Sequence, residues 1–151
     1  MSLYCFGNAR TPEQLAEMRR LDDAGVCLFC PEYLASHPRQ QVLLSTRHWT
    51  ATPNEFPYRG TRLHLLLVPH QHAADLLALS DDVRGDFWVA LAAVAERHEL
   101  SHYGLGVRNG DCRFTGATIR HVHAHVLVSA GGGDAPPVRM RFSGRPGGGP
   151  S

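Results

Sequence analysis

A chain of 151 residues with a formal charge of +1 at pH 7 favours one domain built around a single hydrophobic core. This near-neutral balance gives no strongly basic field for nucleic acid and no acidic tail. Charged residues make up 19% of the chain, whereas histidine alone supplies ten residues. That histidine content points to metal, phosphate or proton chemistry.

The amino-terminal residues predict neither an export signal nor a membrane anchor. MSLYCFGNARTPEQ lacks a basic stretch followed by an apolar one, and the longest apolar run, LHLLLVP at 63–69, has the length of a strand. A cytoplasmic protein without membrane contact is therefore expected. In a reducing compartment the four cysteines are expected to be thiols or metal ligands rather than disulfides. They are Cys5, Cys27, Cys30 and Cys112.

The first thirty residues predict a helix followed by a tight turn. Thr11 is a suitable N-cap, Pro12 fits the first helical position, and Gln14 completes a capping-box pattern. Gly25 is well placed to end this helix. The Cys-x-x-Cys sequence CLFC at 27–30 then predicts a turn.

Strand signals dominate the middle of the chain. VLLST at 42–46 and the residues around His48 and Trp49 predict strands. The proline- and glycine-containing segment 51–62 predicts a loop, and 63–69 predicts a buried strand.

A long helix is predicted over 81–101. Ser80 can cap it, and Asp81 and Asp82 lie in its first turn, where the helix dipole favours negative charge. Apolar residues follow at spacings of four, four and three, which places them on one helical face. They are Val83, Phe87, Leu91 and Val94.

Two further strands and a tail complete the chain. The strands are predicted over 104–110 and 118–129, with a loop between them. The tail, 131–151, is rich in Gly, Pro and Arg and is expected to be partly disordered, with 138–142 as the stretch that could pair. These elements predict an α+β fold with a mainly antiparallel sheet, a long helix packed on it, and 118–129 as an internal strand. The expected organisation is a helical segment 1–26, a domain 27–130 and the tail.

The segment RHVHAHVLVS places three histidines at alternating positions. Since side chains of a strand alternate between its faces, His121, His123 and His125 share one face and the apolar residues between them share the other. The histidine face should open on a cleft, because three imidazoles in a dry core would each need a partner.

Three interpretations of these histidines compete. They could decorate an exposed face, or two of them could bind one metal ion, as His-x-His on a strand can. They could also serve phosphoryl or nucleotidyl chemistry. In that case a neutral imidazole attacks phosphorus while its neighbours stabilise charge on the phosphate oxygens.

Five blocks of the sequence resemble the histidine triad (HIT) superfamily. TGATIRHVHAHVLVS at 115–129 is similar to its signature, in which three histidines alternate with apolar residues. VRNG at 107–110 resembles the family strand that ends in Asn-Gly, and LHLLLVPHQH at 63–72 resembles its apolar strand ending in Pro-x-x-His. CLFC at 27–30 resembles the Cys-x-x-Cys of many bacterial members. NEFPY at 54–58 resembles the branch that handles diadenosine polyphosphates and related nucleotides.

The resemblance implies the HIT-like fold and attack on the α-phosphorus of a nucleotide derivative, such as a dinucleoside polyphosphate or phosphoramidate. His123 would be the nucleophile that forms a covalent nucleotidyl-histidine, and His125 would contact the phosphate and the leaving atom. Thr118 would supply the hydroxyl that helps to protonate the leaving group. The resemblance also implies a homodimer, a nucleotide substrate and no organic cofactor.

Further substrate-binding positions follow from the same resemblance. Asn109 would hydrogen-bond near the α-phosphate, His64 would lie beside the triad, and Asn54 would approach the ribose or base. The chain departs from the family in having Ala117 where a glutamine is usual, which removes one polar contact to phosphate. Two alternatives therefore stay open: a nucleotide-binding regulatory protein with little turnover, and a metal-dependent hydrolase.

Cys27 and Cys30 have the spacing of two ligands of a structural zinc ion. The alternative is a pair of buried thiols or a redox pair. The resemblance implies that His72 and His121 complete the site, which would make the zinc structural and four-coordinate. No role is expected for Cys5 or Cys112.

Overall fold

The computed structural model describes residues 1–37 and 40–145, and its centre is a five-stranded antiparallel sheet of strand order β1-β2-β3-β5-β4. The strands are β1 (Leu44–Ser45), β2 (Trp49–Pro53), β3 (Thr61–Pro69), β4 (Gly104–Val107) and β5 (Ala124–Ser129). The helices are α1 (Pro12–Asp23), α2 (Pro31–Leu34), α3 (Asp81–Arg97) and α4 (Cys112–Thr115), with 3₁₀ turns at Phe6–Asn8 and Leu76–Ala78. The α+β class and the internal position of the histidine strand are confirmed.

Both long helices begin where the sequence predicts. The Thr11 hydroxyl accepts a hydrogen bond from the Gln14 amide at 3.0 Å, and the Ser80 hydroxyl accepts one from the Val83 amide at 3.4 Å. Helix α3 ends at Arg97, earlier than the predicted 101. Glu99 adopts the left-handed conformation with φ of 51°, and the Leu100 amide then bonds back to the Ala95 carbonyl at 2.8 Å. This Schellman-type ending is usually made by glycine, so the sequence did not signal it.

The sheet is covered on both faces, which explains the continuous apolar run in β3. Leu65 and Leu67 face α3 and share a core with its buried residues, including Val83 and Leu91. The alternate residues of β3 face the amino-terminal segment and α1. The apolar residues of β5 belong to the α3 side. The histidines therefore lie on the side that the amino-terminal segment covers.

Several predicted boundaries were wrong. Segment 51–62 is not all loop, because β2 continues through Pro53 and β3 begins at Thr61. The predicted 42–46 strand is reduced to Leu44–Ser45.

The predicted strand 118–129 is regular only from Ala124 onward. Before that point its amides bond to other segments: Arg120 donates to the Leu3 carbonyl at 2.8 Å, and Val122 donates to the Ala73 carbonyl at 2.7 Å. His121 and His123 thus precede the regular strand. The alternation of faces persists there, because Val122 packs in the same core as Ala124 while the rings of His123 and His125 lie 4.9 Å apart.

Cys5 and Cys112 form a disulfide across 107 residues of sequence, with their Cα atoms 6.4 Å apart. The expectation that all four cysteines are thiols or ligands was wrong for this pair. The amino-terminal segment folds against the loop that follows β4, where the Asn8 amide donates to the Cys112 carbonyl at 2.9 Å and to the Ala117 carbonyl at 2.8 Å. This contact brings the two sulfurs together.

The tail continues without helix or strand through residue 145, and the predicted pairing of 138–142 produces no β-ladder. The part of the expected disorder that falls on 146–151 lies outside the described residues. No helix within residues 1–37 and 40–145 has the length and apolar character needed to cross a bilayer.

Candidate functional site

His123 is held as a neutral imidazole with a defined tautomer. Its Nδ1 lies 2.8 Å from the His121 carbonyl, and since a carbonyl can only accept, Nδ1 carries the proton. Burial lowers the pKa of His123 to about 4. The remaining nitrogen, Nε2, therefore carries a lone pair at neutral pH. The side chain lines a pocket of about 270 Å³, so this lone pair is available to an electrophile there.

A chain of hydrogen bonds gives His125 the opposite role. The Tyr58 amide donates to Nδ1 of His64 at 3.0 Å, which leaves the His64 proton on Nε2. That nitrogen lies 2.8 Å from Nδ1 of His125 and donates to it. His125 must then carry its own proton on Nε2. The pocket therefore presents a lone pair on one histidine and an N–H donor on the next.

Both members of the His64–His125 pair are kept uncharged by their surroundings. Burial, with the positive charge of Arg10, lowers the pKa of His64 to about 3, and burial lowers the pKa of His125 well below its usual value. In the unfolded chain these two histidines would bind protons with an ordinary pKa near 6.5, whereas in the folded protein they bind protons only at lower pH.

Acidification should consequently destabilise the protein. As the pH falls from 7 to 5, both histidines take up protons in the unfolded chain, whereas His64, with its pKa lowered to about 3, stays neutral in the folded one. The free energy of unfolding should then fall by about 2 kcal/mol for His64, and the lowered pKa of His125 acts in the same direction. Urea unfolding at the two pH values measures this slope. His64→Gln should reduce the slope, whereas His102→Gln on the surface should not. Equal slopes in His64→Gln and wild type would contradict the assignment.

Four metal-ligand side chains cluster beside the triad: Cys27, Cys30, His72 and His121, whose ligand atoms all lie within 4.8 Å of one another. Nδ1 of His121 is 3.4 Å from Cys27 Sγ, and Nδ1 of His72 is 3.4 Å from Cys30 Sγ. Ligands of one tetrahedral zinc ion are about 3.5 Å apart, so these spacings fit such an ion.

The protonation pattern of the cluster also fits a metal. Nε2 of His121 lies 2.8 Å from the Pro69 carbonyl and donates to it, which leaves Nδ1 free to coordinate. Burial raises the pKa of the Cys27 thiol to about 12, so a nearby cation is needed to hold it as a thiolate. The four donors would fill a tetrahedral shell and leave no position for a catalytic water.

The other sequence-predicted residues divide into two groups. Thr118 and Asn54 line the pocket together with His123 and His125. The side-chain nitrogen of Asn54 lies 3.1 Å from Nε2 of His64, and since both are donors this approach is a contact and not a hydrogen bond. Asn109 lies elsewhere: its side chain accepts from the Leu76 amide at 2.6 Å and donates to Asp75 at 3.0 Å. The structure does not bring Asn109 to the pocket.

The pocket is also lined by arginine side chains, whose position there the sequence did not predict. Arg108 donates to the Tyr58 hydroxyl at 2.7 Å, and its guanidinium lies 3.5 Å from Nε2 of His125. Because both groups are donors, an anion placed between them would accept from each. Arg10 lies over the Tyr58 ring and donates to the Phe56 carbonyl. Arg108 falls within the VRNG block, but nothing in the pattern marked it as a pocket residue.

An antiparallel sheet whose internal strand continues a run of alternating histidines, with two cysteines and two histidines clustered beside them, defines an α+β protein with a histidine-lined pocket. The HIT domain family matches residues 37–131, more than half of the chain. The chain belongs to the HIT family.

Individual relatives agree with this assignment. Protein hit from Bacillus subtilis is 26% identical over 76 residues, which cover 49% of this chain and about half, 52%, of that protein. A HIT family hydrolase from Clostridium thermocellum superposes with a TM-score of 0.57 at 24% identity, covering 76% of this chain and 96% of that one. A Zn-bound histidine triad family protein from Mycobacterium smegmatis superposes with a TM-score of 0.52 at 20% sequence identity. The superposition covers 78% of this chain and 82% of that one. These similarities confirm the HIT-like fold.

Proposed function

We propose that the protein is a nucleotide hydrolase or nucleotidyltransferase that attacks the α-phosphorus of a nucleotide derivative through His123. The observation that carries this proposal is the pairing of an unprotonated Nε2 on His123 with an Nε2–H donor on His125 in one pocket. The family assignment and the relative described as a hydrolase support it.

The proposed reaction has two displacements. Nε2 of His123 forms a bond to the α-phosphorus while the bond to the leaving atom breaks, which yields a nucleotidyl-histidine. The leaving atom takes a proton from the Thr118 hydroxyl or from Nε2–H of His125. The His121 carbonyl stabilises the positive charge on the substituted His123 ring, because it keeps its bond to Nδ1–H. Water or another hydroxyl acceptor then attacks the phosphorus and displaces the imidazole, and the proton of the acceptor returns to the group, Thr118 or His125, that protonated the leaving atom.

A binding protein with little turnover is the second candidate. Ala117 favours it, because this buried position offers no side-chain amide to phosphate. A metal-dependent hydrolase is less well supported, since the clustered cysteines and histidines provide four ligands and no open position. A panel of nucleoside phosphoramidates, dinucleoside polyphosphates and nucleotide sugars, assayed with wild type and His123→Asn, separates these candidates.

We also propose that the Cys₂His₂ cluster binds one structural zinc ion. The ion would join the turn at Cys27 and Cys30 to the segment that carries the triad. Since His121 supplies both a ligand atom and the carbonyl that orients His123, the metal would stabilise the geometry of the nucleophile without taking part in the reaction.

A homodimer is proposed from the open edge of the sheet. Strand β4 is the terminal strand, Leu105 on it is 44% exposed, and Trp88 on α3 is 65% exposed. An uncovered edge with apolar side chains invites pairing with a second copy.

Light scattering should give twice the chain mass for wild type and a monomer for Leu105→Arg. Arg47→Gln, an exposed arginine in the turn between β1 and β2, serves as the control and should stay dimeric. A monomeric wild type would refute the dimer.

A further inference from the structure

Segment 138–145 contributes three side chains to the lining of the pocket, although the HIT domain match ends at 131. Two glycines accommodate this segment: the Met140 side chain packs where a Cβ on Gly106 would lie, and the Ser143 carbonyl packs where one on Gly116 would lie. The Arg141 carbonyl accepts from Nε of Arg108 at 2.7 Å. The path of the tail therefore depends on residues within the domain and is anchored beside the triad.

The tail brings cations to the pocket. Arg139, Arg141 and Arg145 line it together with His123 and His125. Three more arginines contribute to the same lining from other segments, namely Arg10, Arg59 and Arg108.

Arginines outnumber carboxylates in the described lining of the pocket. Glu17 and Glu55 are the acidic residues of that lining, against six arginines. Nε of Arg141 is buried and has no hydrogen-bond partner among residues 1–37 and 40–145. Burial lowers the pKa of Arg141, and neighbouring arginines lower it further. Six guanidinium groups around one pocket repel each other unless an anion binds between them.

We propose that Arg139, Arg141 and Arg145 form a subsite for the leaving group and select nucleotides whose leaving group carries two or more negative charges, as a polyphosphate chain does. The proposal rests on nucleotidyl transfer at His123. The α-phosphate reaches His123 and His125, while the remaining phosphates face the guanidinium groups of the tail. Guanidinium is well suited to this role because its donors match the oxygens of phosphate.

Nucleotide binding tests the subsite independently of turnover. In the His123→Asn background, ATP should bind about 100-fold more tightly than AMP by calorimetry, since two further phosphates each add roughly tenfold through charge-assisted contacts. Replacing the three tail arginines by glutamine should remove this preference while AMP affinity changes less than about threefold. Replacing them by lysine should retain part of it, because the charge remains. Arg84→Gln, with an arginine remote from the pocket, is the matched control.

Kinetics then connect the subsite to the reaction. The triple glutamine variant, with His123 intact, should lose about 100-fold in kcat/KM for diadenosine tetraphosphate and change little for adenosine phosphoramidate, whose leaving group is uncharged. Equal losses for both substrates, or an ATP preference that survives the triple substitution, would overturn the subsite. If wild type turns over neither substrate but shows the ATP preference, the tail arginines bind phosphates but have no leaving group to select, and it is the proposed function that fails. If wild type binds neither nucleotide, both fail.

Discussion

His123→Asn should abolish nucleotide turnover while leaving nucleotide binding largely intact. The asparagine amide can still donate to the His121 carbonyl, as Nδ1–H does at 2.8 Å in wild type, so the segment should keep its position. What is lost is Nε2, which forms the bond to phosphorus. Loss of a nucleophile removes an interaction made in the transition state, and several kcal/mol of barrier correspond to at least about a thousandfold in kcat.

Intact mass spectrometry provides the direct readout. Brief incubation of wild type with substrate should give a protein heavier by one nucleoside monophosphate residue, and His123→Asn should give none. His102→Asn, the same change at an exposed histidine, should behave as wild type. If His123→Asn turns over any nucleotide of the panel as fast as wild type, the covalent mechanism is wrong.

Removal of the metal should have the largest effect on stability. Purified protein should contain one zinc ion per chain. An ion that binds the folded chain at a thousandfold above its dissociation constant contributes about 4 kcal/mol of stability. Chelation, or Cys27→Ser, should therefore lower the Tm by roughly 10 °C. His102→Ala, a histidine outside the cluster, should change neither zinc content nor Tm.

The same measurement separates a structural ion from a catalytic one. At a temperature where the metal-free protein remains folded, turnover should persist within about tenfold, since a metal bound by His121 would orient His123 only through the His121 carbonyl. Complete loss of turnover in folded, metal-free protein, restored by added zinc, would instead support the metal-dependent hydrolase. Protein that contains no zinc and has both thiols freely titratable in the native state would refute the site.

Features encoded by short-range patterns could be predicted from the sequence. The caps at Thr11 and Ser80, the apolar strand in 63–69 and the alternation of the triad depend on neighbouring residues and on the periodicities of helix and strand. The metal cluster was predicted through the family resemblance, and its four side chains do converge. The exact ends of the helices and strands could not be predicted as well. Helix α3, for example, ends at a left-handed Glu99, a conformation that the residue type does not signal.

By itself, then, the sequence determined an α+β domain with three histidines on one face and a cysteine pair at metal-ligand spacing. Only the tertiary structure divided the triad into a His121 that faces Cys27 and Cys30, a His123 with Nε2 unprotonated and a His125 that donates. Only the fold joined Cys5 to Cys112 and brought Arg10, Arg108 and the tail arginines to one pocket. The physical reason is that a tautomer depends on which donor or acceptor lies opposite each nitrogen, and charges distant in sequence meet through non-local packing. Neither leaves a periodic or local signal in the chain.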